Sequence, residues 1–176
     1  MTTTNTHTVN FDQPIEKVYE ALTDAGFWEK VANRFSAADG KVEKFETTDA
    51  GTTVVIRQTV SADKIPAQAQ KFVKSGVGMT RTFVISPLND DGATSTVTTE
   101  ASGVPASFSA SQKLTAQGEG SVLTTNSEFS INVPLLGGKL EEKAAPYLER
   151  VLNAETAVLA DYVATVSYTH LRAHET

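Results

Sequence analysis

The sequence predicts an α+β fold in which a curved antiparallel sheet of about seven strands wraps around one long C-terminal helix. Three observations carry this expectation. Leu140, Ala144, Tyr147, Leu148, Val151, Leu152, Val158, Leu159, Tyr162 and Val163 recur at three- and four-residue spacing, the apolar stripe of an amphipathic helix over Lys139 to Val166. At 1.5 Å per residue such a helix spans roughly 40 Å and needs a broad surface to lie on. Upstream, Thr- and Val-rich segments alternate with period two, and the strand-helix alternation that a parallel sheet requires is missing, as is any internal repeat.

The elements follow in order. Thr6 to Phe11 reads as a first strand, with Val9 and Phe11 on one face and Thr8 and Asn10 on the other. Asp12-Gln13-Pro14 breaks it and opens a helix, with Asp12 as the expected N-cap and Pro14 at an early helical position. Ile15, Val18, Tyr19 and Leu22 then repeat helically. After Ala25-Gly26, a second short helix from Phe27 to about Phe35 has Trp28, Val31 and Phe35 as its apolar set. Two short helices placed there would plug one edge of the sheet. Lys41 to Thr48 and Thr52 to Val60 flank Asp49-Ala50-Gly51, a hairpin signal. Lys64 to Lys74, containing Pro66, is a short helix or an irregular crossover. Strands resume over Val77 to Ser86, Ala93 to Ser102, Ala106 to Ala116 and Ser121 to Val133, and Pro134-Leu135-Leu136-Gly137-Gly138 launches the long helix.

With 176 residues the chain suits one domain, over residues 1–166, with a real core. There is no Cys, which excludes disulfides, thiolate metal sites and Cys nucleophiles together. A net charge of −6, with Lys and Arg scattered, argues against a nucleic-acid partner. No signal peptide and no 18-residue apolar run is present, so the expectation is a cytoplasmic protein without stable membrane insertion. Monomer and dimer both remain open. Residues 167–176 break the pattern and read like translated adapter or vector sequence, so they stay outside the functional reasoning, as a non-native or disordered tail.

The opening Val9-Asn10-Phe11-Asp12-Gln13-Pro14-Ile15-Glu16-Lys17-Val18-Tyr19-Glu20-Ala21-Leu22-Thr23-Asp24, with Phe27-Trp28 after it, resembles the strand, proline and Trp-containing helices of the START-like or SRPBCC superfamily. The closing Val133-Pro134-Leu135-Leu136-Gly137-Gly138-Lys139-Leu140-Glu141 resembles the superfamily's Gly-marked lead-in to its final helix. Together they bracket residues 6 to 166, and they resemble in particular an uncharacterised bacterial branch known as a domain of unknown function. The resemblance implies the helix-grip fold and says little about activity, since members include ligand carriers, polyketide cyclases, hydrolases and subunits of larger enzymes.

In such a fold the natural pocket lies between helix and concave sheet. Expected lining residues are Phe35, Val54, Ile56, Met79, Phe83, Phe108, Leu123 and Phe129, with Leu148, Leu152 and Leu159 from the helix, although plain core is the commoner outcome for any single one of them. Arg81 alternates with Val77, Met79, Phe83 and Ile85, so an inward face would put a guanidinium in an apolar chamber needing an anion: a ligand carboxylate, Glu100 or Glu128. The commoner outcome for such an arginine is a solvent-facing or rim position, with Val84 on the core side instead. Glu100, in an apolar cavity, could act as acid or base, although an outward edge carboxylate is more common. His7 reads as a terminal surface histidine, and Glu141-Glu142 as a solvated helix face. No metal cluster or phosphate loop is evident, and no cofactor is implied; Gly76-Val77-Gly78 has no helix after it. The functional expectation is binding of a hydrophobic small molecule or lipid. The alternatives are a cyclase- or aromatase-like enzyme using Arg81, Glu100 and Tyr147, and an interaction protein whose pocket is filled by its own side chains.

Overall fold

The computed structural model describes residues 2–34, 40–64, 67–70 and 76–175. Strand β1 (Thr2–Phe11) leads into helices α1 (Ile15–Leu22) and α2 (Ala25–Arg34), then β2 (Lys41–Thr48) and β3 (Gly51–Val60). A single 3-10 turn (Ala62–Lys64) and the short α3 (Ala67–Gln70) precede β4 (Val77–Ile85), β5 (Ala93–Ala101), β6 (Ala106–Gln117) and β7 (Gly120–Ile131), and α4 (Gly137–Glu175) closes the chain. All seven strands form one antiparallel sheet in the order β1-β7-β6-β5-β4-β3-β2, so the first strand joins the last and the remainder is a meander.

Local chemistry explains the joints. Gly51 sits at φ +131, and a Cβ there would stand 2.2 Å from the Ile85 carbonyl oxygen, so only glycine suits the β2–β3 turn. The N-cap of α1 is Pro14 rather than Asp12: its carbonyl accepts from the Lys17 N–H at 3.0 Å, and no side chain caps the helix. At the start of α4, a Cβ on Gly137 would come within 2.4 Å of the Ile131 carbonyl oxygen, so this glycine allows helix and sheet to meet closely. The helix carries Pro146 and continues as backbone to Glu175, nine residues beyond the Val166 at which the apolar stripe stops.

Sheet parity follows the alternation in the sequence. Thr52, Val54, Ile56 and Gln58 of β3 and Arg81, Phe83 and Ile85 of β4 are buried on the concave face, while Val84 is exposed. Helices α1 and α2 lie over one end of that face, α2 against β2 and β3. There Trp28 packs on Phe83 with ring centroids 4.4 Å apart and on Phe27 at 4.9 Å, and its Nε1 donates to the Leu22 carbonyl at 2.8 Å. Leu159 and Val163 of α4 complete this cluster with Val18, Val31, Val54 and Ile56.

Candidate functional site: a cavity between sheet and helix

At the other end of the concave face the residues become small. Thr99, Ala101, Ala106 and Ser107 floor a cavity of about 130 Å³, walled by Met79, Phe108 and Phe129 from the sheet and by Tyr147, Leu148, Val151 and Leu152 from α4. Phe108 and Phe129 are direct cross-strand neighbours, so two rings stand side by side as one wall. Small side chains leave a void here because α4 presents only Tyr147, Leu148, Val151 and Leu152 at this level and, among the described residues, no third layer of aromatic side chains descends from α1 and α2.

Arg81 and Gln58 bound the cavity toward the packed end. Arg81 is 7% exposed and inward, which corrects the rim position that its chemistry made the commoner expectation. Its partner is neither Glu100 nor Glu128, both of which lie exposed on the outer face, but Glu155 of α4. Arg81 Nη2 donates to Glu155 Oε2 at 3.0 Å, and Nη1 donates both to Glu155 Oε1 and, at 3.2 Å, to Gln58 Oε1. Gln58 Nε2 in turn donates to the Val31 carbonyl at 3.1 Å, tying the pair to α2, and the guanidinium carbon lies 5.0 Å from the Phe83 ring centroid. The bidentate geometry satisfies an otherwise costly buried charge from within the protein.

Of the residues expected to line a pocket, Met79, Arg81, Phe108, Phe129, Leu148 and Leu152 meet at this cavity, while Val54, Leu123 and Leu159 belong to the core. Ile56 and Phe83 are packed into the core beside it. Glu100 is on the opposite face of β5, because Val97 and Thr99 take the inward parity, and so it is separated from Arg81 and Tyr147. Phe35 lies outside the described residues. Two further expectations are corrected. Glu141 is 1% exposed and accepts from Thr3 Oγ1 at 3.4 Å, so the first turn of α4 is not simply solvated. His7 points inward from β1, with Nε2 buried.

Burial pushes the Tyr147 phenol above its ordinary value; Arg150 opposes the rise and Asp63 adds to it. The phenol is therefore neutral in the cavity wall. Among the described residues no group of His, Asp and Glu is arranged to hold a metal ion, and no helix is long and apolar enough to cross a membrane.

A long helix gripped by a curved antiparallel sheet, with an apolar cavity between them, defines the helix-grip fold. Solved structures with the same fold include a protein from Thermus thermophilus (14% identity, TM-score 0.61, covering 94% of this chain and 99% of that one) and the Zhui aromatase/cyclase from Streptomyces sp. R1128 (16%, 0.56, 99% and 98%). Norcoclaurine synthase from Thalictrum flavum, in complex with a transition state analogue, is also similar (11%, 0.57, 95% and 97%). Within this class the chain belongs to the family described as protein of unknown function DUF2505, whose model matches residues 6–163. No curated protein matches the sequence.

Proposed function

We propose that the protein binds a small, neutral, hydrophobic molecule in the cavity between β4–β7 and α4. The observation that carries this reading is an apolar void of about 130 Å³ bounded by Met79, Phe108, Phe129, Leu148 and Leu152, beside the packed core. Dry apolar cavities of roughly 150 Å³ hold a benzene-sized ring, and this one is of that order. Neutrality of the ligand follows from Arg81, whose charge is matched by Glu155, so an incoming carboxylate would have to displace an internal one. Aromatase/cyclases and norcoclaurine synthase share the fold, which is compatible with a ligand site at this place. Glu100 lies on the outer face, so the acid that a cyclase-like reading required is missing from the cavity, and binding is favoured over catalysis.

The test is native mass spectrometry of the full chain purified from its own host, followed by denaturing extraction. A stoichiometric co-purifying apolar compound is the expected result. A clean unliganded mass, with no rise in Tm against panels of alkylbenzenes, fatty acids and polyketide-like aromatics at concentrations where binding must stabilise the fold, would overturn the proposal.

A further inference from the structure

A second, smaller cavity of about 40 Å³ lies deeper under α4, and the sheet register shows how it connects to the first. The cavity described above stands on the inward row Arg81–Thr99–Phe108–Phe129. Four residues along the same strands, the inward row is Ser95–Gln112–Thr125–His7, and Gln112, Thr125 and His7 line the second cavity together with Glu155 and Thr156 of α4. Leu152 lines both cavities, and the Arg81–Glu155 pair has one member in each. On β6 and β7 the row between them is Ala110 and Ser127, two small side chains beneath the helix. On β4 and β5 the same row is Phe83 and Val97, so the two cavities approach each other on the β6–β7 side, where Leu152 and the ion pair stand between them.

The inner chamber is walled on one side by the apolar core, including Phe27, Trp28 and Phe83, and it differs from the outer one in its polar side. Gln112 Nε2 donates to Thr125 Oγ1 at 3.1 Å, which uses that pair, but His7 Nε2 is buried with no hydrogen-bond partner among the described residues. Ser95 Oγ on the same row and Thr99 Oγ1 in the outer chamber share that condition. A buried polar atom without a partner costs folding free energy, so each such atom is a place where a water or a ligand group can bond.

We propose that the two chambers form one elongated site, and that its ligand is a neutral molecule with an apolar body in the outer chamber and a terminal hydroxyl bonded to His7 Nε2 in the inner one. This rests on the reading of the outer cavity as a ligand site. The rows lie roughly 13 Å apart at about 3.3 Å per residue, the reach of a phenyl ring carrying a chain of about six carbons. A hydroxyl buried without a partner would weaken binding relative to a methyl group, whereas one bonded to His7 offsets its lost hydration.

The experiment compares 6-phenyl-1-hexanol with heptylbenzene on the full chain, reading Kd from the Met79 methyl resonance and following the imidazole 15N signals, with His7 assigned through His7→Gln. The alcohol is expected to bind as tightly as the hydrocarbon or up to roughly tenfold tighter, the range one buried hydrogen bond gives, and to shift the His7 Nε2 signal with the same saturation curve. In His7→Leu the alcohol-to-hydrocarbon affinity ratio should fall at least about fivefold; if that variant does not fold, the nitrogen shift in the unaltered protein decides. An alcohol that binds more weakly than heptylbenzene, or that binds without moving His7, overturns the inner subsite and leaves the outer one standing. Binding of neither compound overturns both.

Discussion

The two ends of the concave face are built from the same strands and covered by the same helix, yet one is packed down to a gap of about 40 Å³ and the other keeps a void of about 130 Å³. At the filled end Trp28 fits against Phe83 and Phe27, and Ile56, Val54 and Val31 are almost without solvent contact. At the hollow end Phe108 and Phe129 face Leu148 and Leu152 across a void floored by Thr99, Ala101 and Ala106. Hydrophobicity does not separate them, since both are apolar. The difference lies in side-chain volume and in the third layer: α1 and α2 descend on one end and nothing among the described residues descends on the other. Close packing is thereby concentrated at the end where shape is complementary, and the other end keeps a void.

That contrast can be broken by mutation. Phe83→Ala, inside the filled end, should cost about 3–5 kcal/mol in urea denaturation, while Phe129→Ala at the hollow end should cost at most about half as much, because its ring already borders a void. Equal losses would mean that the two ends are packed alike. At the boundary, Glu155→Ala strands the Arg81 charge in the interior and should cost about 3 kcal/mol or more, whereas Arg81→Met combined with Glu155→Leu should be near neutral or stabilising. A double-mutant cycle measures this directly. Filling the void acts in the opposite direction: Ala106→Leu should gain roughly 1 kcal/mol and abolish uptake of alkylbenzenes, seen as a higher Tm that added ligand no longer raises.

The smallest effect is expected at the outer flank of the filled end, where α2 and α4 meet. Burial and the 2.6 Å hydrogen bond that it donates to Asp24 raise the Tyr162 phenol from 10.0 to about 12. Folding therefore favours the protonated phenol. Its contribution is fully present below about pH 10 and is lost as pH rises through about 12. Phenolate absorbance should titrate correspondingly late for this residue, and Tyr162→Phe should flatten the stability profile in that window alone.

Much of this architecture is legible in the sequence because period two and period 3.6 are strong signals. Val54 and Ile56, then Phe83 and Ile85, declare an inward face, and Leu148, Leu152 and Leu159 declare a helix stripe. Glu155 falls on that same stripe, three residues after Leu152 and four before Leu159, but its role depends on Arg81, a residue 74 positions away whose inward parity the sequence leaves ambiguous through Val84. His7 follows the same logic: it shares parity with Val9 and Phe11, yet a histidine near a chain end reads as a surface group until the β1–β7 pairing covers it. Glu100 sits in a Thr-rich strand where Val97 alone marks the inner side, so its outward placement had little apolar contrast to reveal it. The cavity itself is a matter of volumes meeting in space, and Ala101, Ala106 and Ser107 are undistinguished until the strands bring them together.

The central claim is that the hollow end takes up an apolar molecule, and Met79 is its natural reporter, because the only other methionine is Met1. With methyl-13C methionine in the full chain, titration with propylbenzene should shift the Met79 methyl resonance saturably and leave Met1 unmoved. A Met79 signal that stays fixed while propylbenzene is raised to its solubility limit would contradict the account.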